Sequence, residues 1–163
     1  MTTMRHSKRR LTSDKGMTLV ELIVSCAILV ILCSTALPVA RLTAWRMRER
    51  ALKRDLQEMR DAIDYYKTLA DKGQIRVDAL AGGYPPDLET LVKGVPLVST
   101  GGQGKTIRFL RSIPVDPITK QPGWGLRSVE DDLDSTTWDG KNVFDVYSKS
   151  NATALDGTRY SEW

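Results

Sequence analysis

Glu21 is a carboxylate placed where a carboxylate is costly. It stands near the start of an apolar run, Met17 to Ala40, that contains no Lys, Arg, Asp or Asn and no other ionisable side chain apart from the thiols of Cys26 and Cys33. About 20 apolar residues suffice to cross a bilayer as a helix. An acid inside such a span marks a function and calls for a partner. One is at hand if the chain is cut after Gly16, because Met17 then presents a free α-amino group just ahead of Glu21. Within one copy that pair would build nothing. Made between neighbouring copies, it would neutralise both charges and stack the copies into a polymer. The plain alternative is a Glu21 at the interface that reaches out to water.

Other chemistry is sparse. The single histidine, His6, precedes the apolar run. The rest of the chain therefore has no His to activate a nucleophile and no Cys/His set for zinc. Cys26 and Cys33 would lie about 10 Å apart on one helix face, too far for a disulfide, so they read as packing residues. Asp131, Asp132 and Asp134 leave carboxylate-pair hydrolysis formally open but sit in a polar stretch that reads as a solvated loop. Ser99 to Thr106, STGGQGKT, approaches a phosphate-binding loop, yet Ser99 stands where Gly is required and Pro114 and Pro117 follow where a helix should form. A surface loop is expected there, and no enzyme.

The elements that position Glu21 follow from charge and periodicity. The net charge of +4 invites a nucleic-acid reading, but Arg5, Lys8, Arg9, Arg10 and Lys15 against Asp14 place all of that excess before Met17. The positive side of a span stays in the cytoplasm, so no nucleic-acid partner is expected. An ordinary secretory signal has its apolar region before the cut, whereas here the polar leader comes first, so the apolar helix should remain. Beyond Pro38, the residues Leu42, Trp45, Leu52, Leu56, Met59, Ile63, Tyr66 and Leu69 recur at helical spacing. One helix from Met17 to about Lys72 is expected, with Gly73 as its stop. Its stripe reads as packing on a domain rather than as a coiled coil. Glu49 and Lys53 have the favourable i, i+4 order, and Pro38 should bend the helix.

Lys15, Gly16, Met17, Thr18, Leu19, Val20 and Glu21 resemble the class III signal of type IV pilins and pseudopilins. The resemblance implies cleavage by a prepilin peptidase between Gly16 and Met17, N-methylation of Met17, and pairing of Glu21, the fifth mature residue, with an adjacent copy's N-terminus. Pro38 falls where the family has its helix-kinking proline, and the resemblance adds that the backbone there can unwind on assembly. Met17 departs from the commoner Phe. Further along, Tyr84, Pro85, Leu88, Leu91 and Val92 resemble the Tyr-Pro and short helix of type II secretion pseudopilins, with the helix expected over 87–93 and closed by Gly94. Ile113, Pro114, Val115, Asp116 and Pro117 resemble that family's crossing into its sheet. Strands are expected over 124–129 and 143–148, joined by a loop over 130–140.

The tail from Ser148 to Trp163 is rich in side-chain oxygens, which calcium requires. Major pseudopilins bind calcium in a C-terminal loop after a Tyr-Ser strand end, which Tyr147 and Ser148 resemble. The resemblance implies one calcium ion held by Asp156 with oxygens near Ser148, Ser150 and Ser161. The other reading is an Asp-Gly turn with no metal.

The expected architecture is α+β, type IV pilin-like: a long N-terminal helix, membrane-spanning in its first half, packed on a small C-terminal antiparallel sheet. Residues 1–16 form a cleaved cytoplasmic leader, 17–40 the transmembrane and filament-core helix, and 41–163 a periplasmic domain. The resemblance implies a pseudopilus subunit of type II secretion, the major one or a close relative, in a bacterial inner membrane. Its implied partners are further copies, minor pseudopilins, an assembly platform with its ATPase, and the prepilin peptidase. A true type IV pilus subunit and a membrane-anchored binding domain that never polymerises are the alternatives.

Overall fold

The computed structural model describes residues 16–78, 81–98, 105–132 and 134–163, with the backbone alone at 35–38. Most of the expected leader and most of the STGGQGKT stretch lie outside them. The chain divides into two units, Met1–Leu42 and Thr43–Trp163.

Helix α1 spans Leu19–Asp71. Thr18 starts it, accepting the Glu21 N–H at 3.2 Å on its Oγ1, as an N-cap does for the third helical residue. The backbone stays helical through Pro38, even though proline removes one helical hydrogen bond. In the first unit the apolar side chains from Leu19 to Leu32 are exposed. The most apolar window of α1 is long enough to cross a membrane and is 0% buried.

In the second unit α1 becomes the floor of the core. Leu52, Leu56, Met59, Ile63, Tyr66 and Leu69 are all buried, as the helical spacing implies. Full burial of such a side chain stabilises by roughly 1.5–3 kcal/mol. The expected stripe begins later than its spacing suggests: Leu42 is 47% and Trp45 43% exposed. Gly73 ends the helix at a φ of +64°. Its N–H donates to Ala70 O and that of Gln74 to Leu69 O, both at 2.9 Å, the Schellman closure.

Helix α2 (Leu88–Lys93) has Asp87 as its N-cap, accepting from the Thr90 N–H at 2.6 Å. It buries Leu88 and Leu91, and Gly94 closes it at a φ of +83°. A side chain at Gly94 would meet the Ile107 carbonyl oxygen at 2.3 Å.

Two short antiparallel sheets complete the fold. Strand β1 (Val95–Pro96) pairs with β2 (Thr106–Ile107). This pair was not expected from the sequence: Thr106 leaves the loop for a strand, so no phosphate-binding helix follows it. Strand β3 (Gly125–Arg127) pairs with β4 (Asp145–Tyr147), Leu126 opposite Val146. These two are the expected strands, but shorter. Beyond Arg127 side chains take the ladder's place: Asp131 accepts from Ser128 N at 2.7 Å and Asn142 from Val129 N at 3.1 Å. Tyr147 lies across Gly125, where an added Cβ would come within 2.2 Å of the ring. The Arg127 guanidinium stands 4.1 Å from the centre of that same ring, a cation–π contact.

Candidate functional site

The first candidate site is the start of α1. Gly16, Met17 and Thr18 precede the helix in no regular element, and Met17 is exposed. Beyond its own chain neighbours, no described atom lies within 4 Å of the Cβ position at Gly16. Glu21 occupies the third helical position, where its N–H is already used by Thr18. Thr18 and Glu21 thus have the T-x-x-E spacing of a capping box, of which the Thr18 half is formed. The positive end of the helix dipole favours an acid in this first turn. Among the described residues the Glu21 carboxylate has no hydrogen-bond or ion-pair partner. The fold therefore starts the helix with a threonine and leaves the acid without a partner among the described residues. Cys26 and Cys33 are both free and exposed.

Residues 11–37 match the family described as the prokaryotic N-terminal methylation motif. The chain carries a type IV pilin-like prepilin signal. Gly16, Met17 and Glu21 fall inside the matched stretch, and Pro38 stands just beyond it. No curated protein and no solved structure matches the chain. Together, the signal and the apolar first part of α1 fit a membrane-anchored chain.

The tail is the second candidate site, and the structure gives its four residues separate tasks. Ser148 is buried and donates to Asp116 Oδ2 at 2.6 Å while accepting from Ser150 N at 3.1 Å. Ser150 Oγ accepts from Ala152 N at 3.3 Å. Asp156 sits in a turn closed by Gly157 and accepts from both the backbone N–H and the hydroxyl of Thr158 at 3.0 and 2.6 Å. The Thr158 hydroxyl, ahead of its backbone N–H, holds the Asp156 carboxyl below the usual carboxylate range. Ser161 lies in the 3-10 turn Tyr160–Glu162. Calcium needs six to eight oxygens, several of them anionic. One exposed carboxylate that already accepts from Thr158, and a serine committed to Asp116, do not fit it. Among the described residues no three His, Cys, Asp or Glu side chains group together to hold a metal ion.

What organises the tail is α1. Glu49 Oε1 accepts from Leu155 N at 2.7 Å and from the Tyr160 hydroxyl at 3.0 Å. Burial, aided by the Glu49 charge, pushes the Tyr160 phenol up to about 12. Lys53 Nζ stands 4.1 Å over the Trp163 ring. Glu49 and Lys53 thus each serve the tail, and no ion pair between them is formed, contrary to their i, i+4 spacing. Arg60 donates to Asp145 at 2.7 Å, to the Val146 carbonyl at 3.1 Å and to a Trp163 main-chain oxygen at 3.0 Å. It ties the helix, β4 and the tail together.

Asp116 is the buried counterpart on the other side. It accepts from Ile118 N at 2.7 Å, Thr119 N at 3.3 Å and the Ser148 hydroxyl. The proline-rich crossing is thereby pinned to the end of β4. The Asp-Pro pair in the sequence signals that turn, whereas nothing local in the sequence marks Arg60 or Glu49.

Proposed function

We infer that this chain is a structural subunit of a pseudopilus driving type II protein secretion, made as a precursor and cut between Gly16 and Met17. The observation that carries this is Glu21: an acid in a prepilin signal, at the fifth position after the cut, on the part of α1 whose apolar side chains, Leu19 to Leu32, are exposed. The α-amino group of Met17, methylated after cleavage, neutralises the Glu21 carboxylate of the next copy. Hydrophobic burial alone gives little drive for leaving lipid, since lipid tails are as apolar as the side chains. The charge pair fixes which copy goes where and avoids a buried lone acid. The job is mechanical, as befits a motif family of structural subunits. Minor subunits, an assembly platform and a prepilin peptidase are the partners this requires. The bacterial inner membrane is its place before assembly, with Thr43 onward on the periplasmic side. Pro38 gives the helix the point at which it adjusts on leaving lipid.

The experiment is the intact mass and N-terminal sequence of the protein taken from its native membrane. A chain beginning at methylated Met17 is expected. A chain that keeps Gly16, or that is cut after the apolar run, would remove the amine from the mechanism and leave an anchored binding domain as the reading.

A further inference from the structure

The exposed face of α1 in the second unit carries charge in two blocks. Arg46, Arg50 and Arg54 follow one another at four-residue steps, and Glu58, Asp61 and Asp64 come after them. All six are exposed. At 3.6 residues per turn they fall within about 120° of arc, opposite Leu52, Leu56, Met59 and Ile63. Like charges at i, i+4 weaken a helix, so the arginine ladder works against the element it sits on. Local chain chemistry does not relieve it: Arg54 holds Asp55 at 3.0 Å, but among the described residues Arg46 and Arg50 have no ion-pair partner. Glu58 and Asp64 have none either, and Asp61 accepts only from Gln57, at 2.7 Å. A local arrangement that conflicts with its own fold points to something outside it.

Beside the acidic block lies a shallow depression lined by Arg54, Glu58, Asp61, Tyr65 and Phe109. Tyr65 is 48% exposed and meets the Phe109 ring edge-on at 5.6 Å. An aromatic held rigid among charges is a common anchor at protein interfaces.

We propose that this face docks against the same face of a second copy, displaced along the helix axis so that one copy's Arg46–Arg50–Arg54 ladder meets the other's Glu58, Asp61 and Asp64. The block centres, near Arg50 and Asp61, are about 16 Å apart by the helical rise, and that sets the displacement. Copies that share one apolar anchor stand parallel, which excludes the antiparallel pairing that would also match the charges. A displaced parallel contact uses two different patches, so it does not close on itself and propagates as a filament. The proposal rests on the polymer reading above and adds a register to it.

The test uses the full chain in its native membrane, reading polymer as cross-linked ladders and sedimenting filaments. Arg50→Glu and Asp61→Arg should each lower the yield by roughly tenfold or more, because like charges then face each other. The double variant should restore it. With Cys26 and Cys33 replaced by Ala, copies carrying Arg50→Cys and copies carrying Asp61→Cys should form a disulfide only when mixed. Unchanged melting of each variant shows that the domain is intact. If the wild type polymerises and Glu21→Ala does not, yet the reversals have no effect or the double variant fails to recover, the register is wrong while the polymer reading stands. Loss of binding to phosphatidylglycerol vesicles by Arg50→Glu, unrelieved by Asp61→Arg, would assign the ladder to lipid headgroups and overturn the proposal. A wild type that never polymerises would overturn both.

Discussion

One helix serves two environments, and its two parts differ in what covers them. From Leu19 to Leu32 the apolar residues of α1 are exposed on every side. From Leu52 to Leu69 the apolar residues form one stripe, and that stripe is buried under α2, the short sheets and the tail. The second part is satisfied within its own chain. The first is not, and lipid or other copies must complete it. A chain that is finished in one region and open in another is suited to being stored in a membrane and then assembled. In the polymer proposed above, the single acid of the open region marks where copies meet.

The sharpest break of that comparison is at Glu21. Glu21→Ala should leave cleavage intact, because Gly16 and Met17 are untouched, and should abolish polymer. Melting of the second unit should not move. Filaments at normal yield from this variant would remove the charge pair from the mechanism.

A matched pair of core deletions sharpens it next. Leu56→Ala should destabilise the full chain in detergent by about 2–5 kcal/mol, the range for emptying a packed leucine site. Leu29→Ala, at an exposed position of the first part, should change urea denaturation by less than about 0.5 kcal/mol. Equal losses from the two would mean that the first part also folds against the chain.

The sequence made the buried half legible where local rules act alone. Gly73 and Gly94 mark helix ends because capping chemistry involves only neighbouring residues, whereas the starts expected at Met17 and Asp87 fall at Leu19 and Leu88, with Thr18 and Asp87 as the caps. The stripe was legible too, but spacing says only that residues share a face. It does not say what covers that face, and so Leu42 and Trp45 were expected inside and are outside. The strands were placed correctly and drawn too long, since the side chains of Asp131 and Asn142 that end the ladder act across a loop. The bonds from Glu49, Lys53 and Arg60 to the tail join residues about a hundred positions apart, and no local pattern announces them. The calcium reading meets the same limit: a tail rich in oxygens looks alike whether a metal or a helix holds it.

The helix-held tail has a pH signature. The folded chain keeps the Tyr160 proton up to about 12, whereas an unfolded tyrosine releases it near 10. The stability this group contributes is therefore complete below about pH 10 and is lost as pH rises through about 12. The loss should reach about 2 kcal/mol by linkage. Tyr66, also raised by burial and by Asp87, adds to the same alkaline loss. Tyr160→Phe should be weakened at pH 8 by the lost bond to Glu49, yet fall less steeply from pH 10 to 12. An unchanged alkaline slope would detach Tyr160 from Glu49 and with it the account of how the tail is held.

The smallest expected effect is a null one, and it separates the two ways a tail can be held. If α1 organises it through Glu49, Lys53 and Arg60, then calcium and chelator should give the same melting midpoint for the full chain in detergent. A ligand that binds only the folded state raises the midpoint by mass action, so even weak specific binding would show at millimolar calcium. Glu49→Gln should lower the midpoint in both conditions alike, because Leu155 and Tyr160 lose a charged acceptor worth roughly 1.5–3 kcal/mol. A midpoint that rises with calcium, and rises less in Asp156→Asn, would put a cation in the turn at Asp156 and reduce the helix contacts to a support for it.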